Sequence, residues 1–221
     1  MATNAYFPPY EFYDGDTIVG IDAEIGKAIA DKLGMEFKIE DIEFDAIITG
    51  VQSGKFDMGM AGMTVTEERL QSVDFSDSYA TGIQSIIVPE GSPIKSIDDI
   101  LAEGATYKVG VQLATTGDIY ISEDLGDEAT SRIEQYQTGN DAVAALSAGK
   151  VDAVIIDNEP AKSYVAATSG LVILDTEYVT EDYAICFAKG NPLKDKVNEA
   201  LNALIADGTV KTIVDKYISA K

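Results

Sequence analysis

The sequence predicts an α/β protein built in two lobes, and three observations carry that prediction. Strand-like and helix-like segments alternate along the chain, the pattern of largely parallel sheets flanked by helices. One segment occurs twice, as Asp45-Ala-Ile through Ser53-Gly-Lys-Phe-Asp57 and as Asp141-Ala-Val through Ala148-Gly-Lys-Val-Asp152, with the glycines and closing aspartates 95 positions apart. The length of 221 residues, 46% of them apolar, suffices for one large core or for two lobes; the repeat favours two, of about 100 residues each.

Taken in order, Asp22 is expected to cap a helix carrying Ile25, Ile29 and Leu33 at helical spacing, with Gly34 ending it. Met35, Phe37 and Ile39 alternate with polar residues, as a strand requires. In both copies of the repeat, the residues after Asp-Ala form a short amphipathic helix, with Ile47, Ile48 and Val51 in one and Val143 and Leu146 in the other. Gly54 and Gly149 would close these helices in the left-handed conformation that glycine adopts at least cost. Strands are expected to start at Phe56 and Val151, with their carboxyl ends near Gly62 and Asp157.

Those ends matter because open α/β sheets place ligands beyond the carboxyl ends of their strands. Extended segments at 83–88 and 182–188 are candidate crossings between lobes. From Pro192 to Tyr217 the pattern is helical, with Gly208 separating two helices expected to pack back on the first lobe.

Composition narrows the function. The 38 acidic and 16 basic side chains leave a formal charge of -22, so a nucleic-acid backbone or an anionic membrane surface would be repelled. No apolar run approaches the roughly 18 residues of a membrane span, and no basic-then-apolar leader opens the sequence; a mature exported protein would look the same. There is no histidine, which removes serine-histidine and cysteine-histidine catalysis and histidine-based metal sites. The single cysteine, Cys186, lies in the apolar run Tyr183-Ala-Ile-Cys-Phe-Ala188 and reads as a core residue. Neither a cofactor nor a metal is implied.

The segment Ala61-Gly-Met-Thr-Val-Thr-Glu-Glu-Arg69 offers more. Thr64 or Thr66 is suited to cap a helix that carries Arg69, so that backbone N–H groups and a guanidinium face one mouth fit for a carboxylate. Spacing alone favours a surface ion pair between Arg69 and a nearby glutamate. Thr115 and Thr116 open a helix after a strand at Lys108–Gln112, and Asp157 ends the apolar run Ala153-Val-Ile-Ile. As plain structure these residues cap helices; as a site, Asp157 would face an ammonium group and complete, with Arg69, a clamp for an α-amino acid.

Seven motifs in register carry a resemblance: Phe7-Pro-Pro-Tyr-Glu-Phe12, Gly20-Ile-Asp22, Ser53-Gly-Lys-Phe-Asp57, Ala61 through Arg69, Val73-Asp-Phe-Ser-Asp77, Gly110-Val-Gln-Leu-Ala-Thr-Thr-Gly117, and Gly149-Lys-Val-Asp152 through Asp157. Over nearly the whole chain, the sequence resembles the polar amino-acid substrate-binding proteins of ABC importers. The resemblance implies a type II periplasmic-binding fold of two lobes joined by two crossing segments, the first lobe made from residues 1–83 and 184–221 and the second from 84–183.

It also implies that the ligand carboxylate goes to Arg69, the backbone of Thr64 and the Thr115 and Thr116 turn. The ammonium goes to Asp157, with the Gly62 carbonyl and the Thr64 hydroxyl. Phe7 and Phe44 match the aromatic walls around the ligand side chain, Asn4 and Gln112 match positions that choose among side chains, and Ala61 and Ala114 flank the ligand. A monomer, an ABC permease as partner, and a periplasmic or lipid-anchored extracellular home follow from the same resemblance.

Two departures are specific to this chain. Ala114 stands where the family's turn usually has glycine. Asn4 stands where members that bind arginine or lysine often carry an acid, and an amide cannot neutralise a buried cation, so a neutral polar ligand such as glutamine is expected. The sequence also begins several residues short of the family's first strand, as a trimmed chain would. The alternatives are a ligand-sensing domain of a membrane receptor and, on the same fold, a cyclohexadienyl-dehydratase-like enzyme in which Glu159 would be the candidate acid.

Overall fold

The computed structural model describes residues 1–218. The chain forms two compact units, one from Met1–Thr81 together with the chain from Glu181 onward, the other from Gly82–Thr180. It passes between them twice, within the strands Ala80–Pro89 and Val179–Tyr183. No described helix is long and apolar enough to cross a membrane.

In the first unit, the helix Ile21–Leu33 buries Ile21, Ile25 and Ile29 and packs on the helices Leu193–Ala206 and Thr209–Tyr217. Gly34 closes it in the left-handed region at φ 67, with its N–H donating to carbonyls of the last turn. The amino-terminal cap differs from expectation. Gly20, not Asp22, holds the cap position, because a Cβ there would lie 2.3 Å from the Tyr10 carbonyl oxygen. Asp22 lies in the first turn, and its side chain crosses to Gly62 and Tyr79.

The expected strand at Met35–Ile39 is also corrected. Pairing begins at Glu40–Asp41, which runs parallel to Ala2–Thr3. Met35 is exposed, while Phe37 packs beside Gly26, where a Cβ would meet its ring at 3.0 Å; the alternation is served by helix packing instead of a ladder.

The first copy of the repeat folds as a 3₁₀ turn Phe44–Ala46 and a helix Ile47–Gln52, followed by Gly54 at φ 74. No strand starts at Phe56. Gly59 forms isolated bridges instead, parallel to Ala2 and antiparallel to Cys186. The approach is close enough that a Cβ on Gly59 would meet Ile47 Cγ2 at 2.6 Å and Cys186 Sγ at 2.7 Å. Cys186 is fully buried, and burial pushes its thiol up to about 12, which fits the core role expected of it.

In the second unit, the strand order is Leu171–Ile173, Ala80–Pro89, Ala153–Asp157, Val109–Gln112 and Ile133–Tyr136. The last three run parallel, as successive βα connections require, while Ala80–Pro89 runs antiparallel to both of its neighbours in that order. Ile86, Val88, Val109, Val111, Ile121 and Ile155 share one buried core. The second repeat forms the helix Gly139–Ser147, with Gly149 at φ 69. The strand after it starts at Ala153 instead of Val151, because the Asp152 and Ala153 N–H groups both turn onto the Lys108 carbonyl.

Candidate functional site

The first unit assembles its candidate residues around the segment Ala61–Thr66. That segment is laced to the returning chain: Thr64 bridges Tyr183, the Ala184 N–H donates to the Met63 carbonyl, and the Val65 N–H donates to the Asp182 carbonyl. Ala61, Gly62 and Thr64 are buried. Thr66 caps the helix Glu67–Ser72, its Oγ1 accepting the Arg69 N–H at 3.1 Å.

Arg69 is buried, with Nη1 donating to the Thr64 carbonyl at 2.8 Å and the guanidinium 5.5 Å from the centre of the Phe44 ring. Burial and a backbone partner are not the setting of the surface ion pair that spacing alone allowed. The packing against Phe44 orients the planar fork and leaves it less freedom to lose on binding a carboxylate.

Gly62 takes φ 53, and a Cβ on it would stand 2.7 Å from the Phe7 ring. Glycine is therefore required twice here, for its left-handed backbone and for the approach of the aromatic wall. Asn4 is buried, and its Nδ2 donates to the Ile42 carbonyl at 2.9 Å.

The second unit gathers Gln112, Ala114, Thr115 and Thr116 where the strand Val109–Gln112 turns into the helix Thr116–Leu125. Gln112 Nε2 donates to the Gln137 carbonyl at 3.0 Å, and the Thr115 hydroxyl donates to the Gln112 carbonyl at 2.8 Å. Ala114 holds φ 62, the left-handed region that a Cβ disfavours. The turn is kept there by Asp118, whose Oδ2 accepts the Ala114 N–H at 3.0 Å while Gln135 Nε2 donates to both Asp118 oxygens.

Asp157 is buried at the carboxyl end of its strand and occupies the cap position of the helix Asn158–Ala167 without a side-chain capping bond. It is joined to the threonine turn through Gln84. Gln84 is the register partner of Asp157 across the sheet, and its Nε2 donates to the Thr116 hydroxyl at 3.3 Å.

Sequence reasoning passed over three supporting residues. Gln84 and Asp118 carry no motif of their own, and the signal available for Gln84 was a polar residue inside the apolar strand Ile83 to Val88. Asp22 was read as a cap, though an acid set between Ile21 and Ala23 in a buried first turn is itself unusual.

Two α/β units, one presenting a buried arginine beside a glycine-bearing segment and the other an aspartate at a strand end, define a two-lobed binding-protein architecture. Residues 1–220 match the model of the bacterial extracellular solute-binding proteins, family 3, and the chain belongs to that family. It is similar to the arginine-binding extracellular protein ArtP of Bacillus subtilis, at 34% identity over all of this chain and 86% of that protein. Among solved structures it resembles the arginine-, lysine-, histidine-binding protein ArtJ of Geobacillus stearothermophilus, with a TM-score of 0.92 and 34% identity over 100% of this chain and 94% of that one. It also resembles an ancestral arginine-binding protein bound to glutamine, with a TM-score of 0.91 and 38% identity over 99% and 96% of the two chains.

Proposed function

We propose that this protein binds a free L-α-amino acid, drawing on both units at once, and delivers it to the membrane permease of an ABC importer without transforming it. The observation that carries the reading is Arg69, buried and oriented by the Thr64 carbonyl and the Phe44 ring in a family of solute-binding proteins. In this reading Arg69 and the turn at Ala114, Thr115 and Thr116 take the ligand carboxylate. Asp157, the Gly62 carbonyl and the Thr64 hydroxyl take the ammonium. Phe7 and Phe44 wall the side chain, with Ala61 beside them, and Asn4 and Gln112 select it. The protein works as a monomer, in a periplasm or anchored by lipid outside a cell.

The proposed ligand is neutral and polar, glutamine first. Asn4 donates one amide N–H to the Ile42 carbonyl and brings no charge to neutralise a cationic side chain. The likeness to an ancestral arginine-binding protein bound to glutamine supports that choice.

A thermal-shift screen of the twenty amino acids tests this directly, since ligand at about 100 times its dissociation constant adds about 2.7 kcal/mol to stability. Glutamine should give the largest shift. Absence of a shift with every amino acid overturns the function, and a larger shift with arginine than with glutamine overturns the neutral assignment.

A further inference from the structure

Beneath the segment Ala61–Thr66, the first unit encloses an acidic cluster that has no place in the ligand clamp. Asp22, in the first turn of the helix Ile21–Leu33, is fully buried, and so is Glu11, on the strand Glu11–Asp14. Asp22 Oδ2 accepts two hydrogen bonds, from the Gly62 N–H at 2.8 Å and from the Tyr79 hydroxyl at 2.8 Å. The Asp22 N–H donates to the Tyr10 carbonyl at 2.9 Å, so Glu11, the next residue, brings its buried carboxyl into the same cluster as Asp22. Two buried carboxylates repel each other and lack water, which favours a single proton held by the pair.

The electrostatics agree. Burial pushes Asp22 up to about 6, opposed by its bonds from the Gly62 N–H and the Tyr79 hydroxyl and by Glu11. Tyr79 is itself raised well above its ordinary value, first by burial and then by the charges of Asp22 and Glu11, with Tyr10 alongside. The groups that act on Asp22 are thus an amide, a phenol and a second acid, none of them a cation.

The cluster reaches the ligand residues through Gly62. Asp22 holds that residue's N–H from below, and the Phe7 ring covers it so closely that no Cβ would fit. Gly62, whose carbonyl belongs to the next peptide, is therefore fixed by a carboxyl at its N–H and by an aromatic ring against its Cα.

We propose that Asp22 is a positioning residue for ligand binding, fixing the backbone at Gly62 and with it the Phe7 wall, and that it does so by sharing one proton with Glu11. This rests on the reading in which Gly62 and Phe7 meet the amino-acid ligand. Loss of the proton leaves two buried carboxylates face to face, and their repulsion and demand for water work against the arrangement that holds Gly62.

Asp22→Asn keeps every contact without a titrating proton. Its amide oxygen accepts from Gly62 and Tyr79, and its amide nitrogen donates to the Glu11 carboxylate. Asp22→Ala removes the acceptor altogether and leaves the Gly62 N–H and the Tyr79 hydroxyl unsatisfied.

Calorimetric titration of the full chain with glutamine, from about pH 5.5 to about pH 7.5, tests the proposal. Affinity of the parent protein should fall about tenfold as pH rises, the change expected when ligand binding raises the pair's proton affinity tenfold. Asp22→Asn should match the low-pH affinity of the parent and show a flat profile, while Asp22→Ala should bind at least about tenfold more weakly throughout. A pH profile for Asp22→Asn that parallels the parent's overturns the shared proton. A folded Asp22→Asn that has lost binding also overturns it, because the carboxylate charge would then be what is needed.

Infrared spectroscopy provides a readout independent of ligand. The parent at about pH 5.5 should show a buried protonated carboxyl band that Asp22→Asn lacks, and absence of that band in the parent overturns the inference whatever the ligand. A parent protein that binds no amino acid, yet shows the band, overturns the functional reading and with it the positioning role, while leaving the shared proton in place.

Discussion

The two copies of one sequence element end differently, and the difference shows how a repeated scaffold divides its chemistry. After Asp152 the chain forms a full strand, Ala153–Asp157, paired on both sides, that carries an aspartate to its end. After Asp57 it makes only isolated bridges at Gly59, with Met58 and Met60 bonded to Ala2, and then enters the irregular segment in which Gly62 and Thr64 lie. The second unit places a single acid at the end of an interior strand. The first presents backbone groups and Arg69 from a segment held by Tyr183, Asp182 and Asp22.

The largest expected effect tests whether both copies contribute to one ligand. Arg69→Lys should weaken glutamine binding about 100-fold, equivalent to about 2.7 kcal/mol, because an ammonium cannot reproduce the guanidinium fork. Asp157→Asn should cost a similar factor through the lost charge-assisted bond. Isothermal titration of both variants decides the matter. A silent Asp157→Asn would leave the second copy as scaffold alone, and a silent Arg69→Lys would remove the first copy from the clamp.

The buried acid bonded to the first unit's segment predicts a pH dependence of stability. Asp22 moves from its ordinary value of 3.8 up to about 6 on folding, so the folded state holds the proton more tightly than the unfolded chain. Its contribution to stability is fully present below about pH 4 and is lost progressively as pH rises through about 6, where ionisation has cost about 3 kcal/mol. Denaturation of the parent and of Asp22→Asn across that range should show the variant gaining relative stability as pH rises. A constant difference between them would refute the assignment.

Smaller effects probe the two backbones. Gly59→Ala forces a Cβ against Ile47 and Cys186 and should destabilise by about 1–3 kcal/mol, as overpacking does. Chemical denaturation measures it, and a neutral result would mean that the first copy is looser than its contacts indicate. Ala114→Gly should stabilise by at most about 1 kcal/mol, because relief of left-handed strain is partly offset by the unfolded entropy of glycine. A fall in melting temperature for that variant would show that the Asp118-held turn prefers its Cβ.

Much of the candidate site was legible because its residues act on near neighbours. Thr66 caps the helix carrying Arg69 three residues on, and Thr115 precedes a helix that starts at the next residue. The strand reading of Met35–Ile39 failed for a related reason. Alternation records which residues are apolar, whereas a ladder needs a partner, and the pairing with Ala2–Thr3 covers Glu40–Asp41 with Met1 extending its bonds only as far as Lys38. Asp22 escaped notice as more than a cap because its partners Gly62 and Tyr79 stand 40 and 57 residues away.

The sequence by itself determined the α/β class, the doubled element, the absence of histidine chemistry and the order of the family motifs, all of which depend on periodicity, composition and short spacings. Only the tertiary structure decided that Arg69 is buried on the Thr64 carbonyl, that Gln84 joins Asp157 to Thr116, and that Asp22 meets Glu11, Tyr79 and Gly62. The physical reason is that these groups lie far from water, where a polar side chain must find its partner wherever the fold provides one.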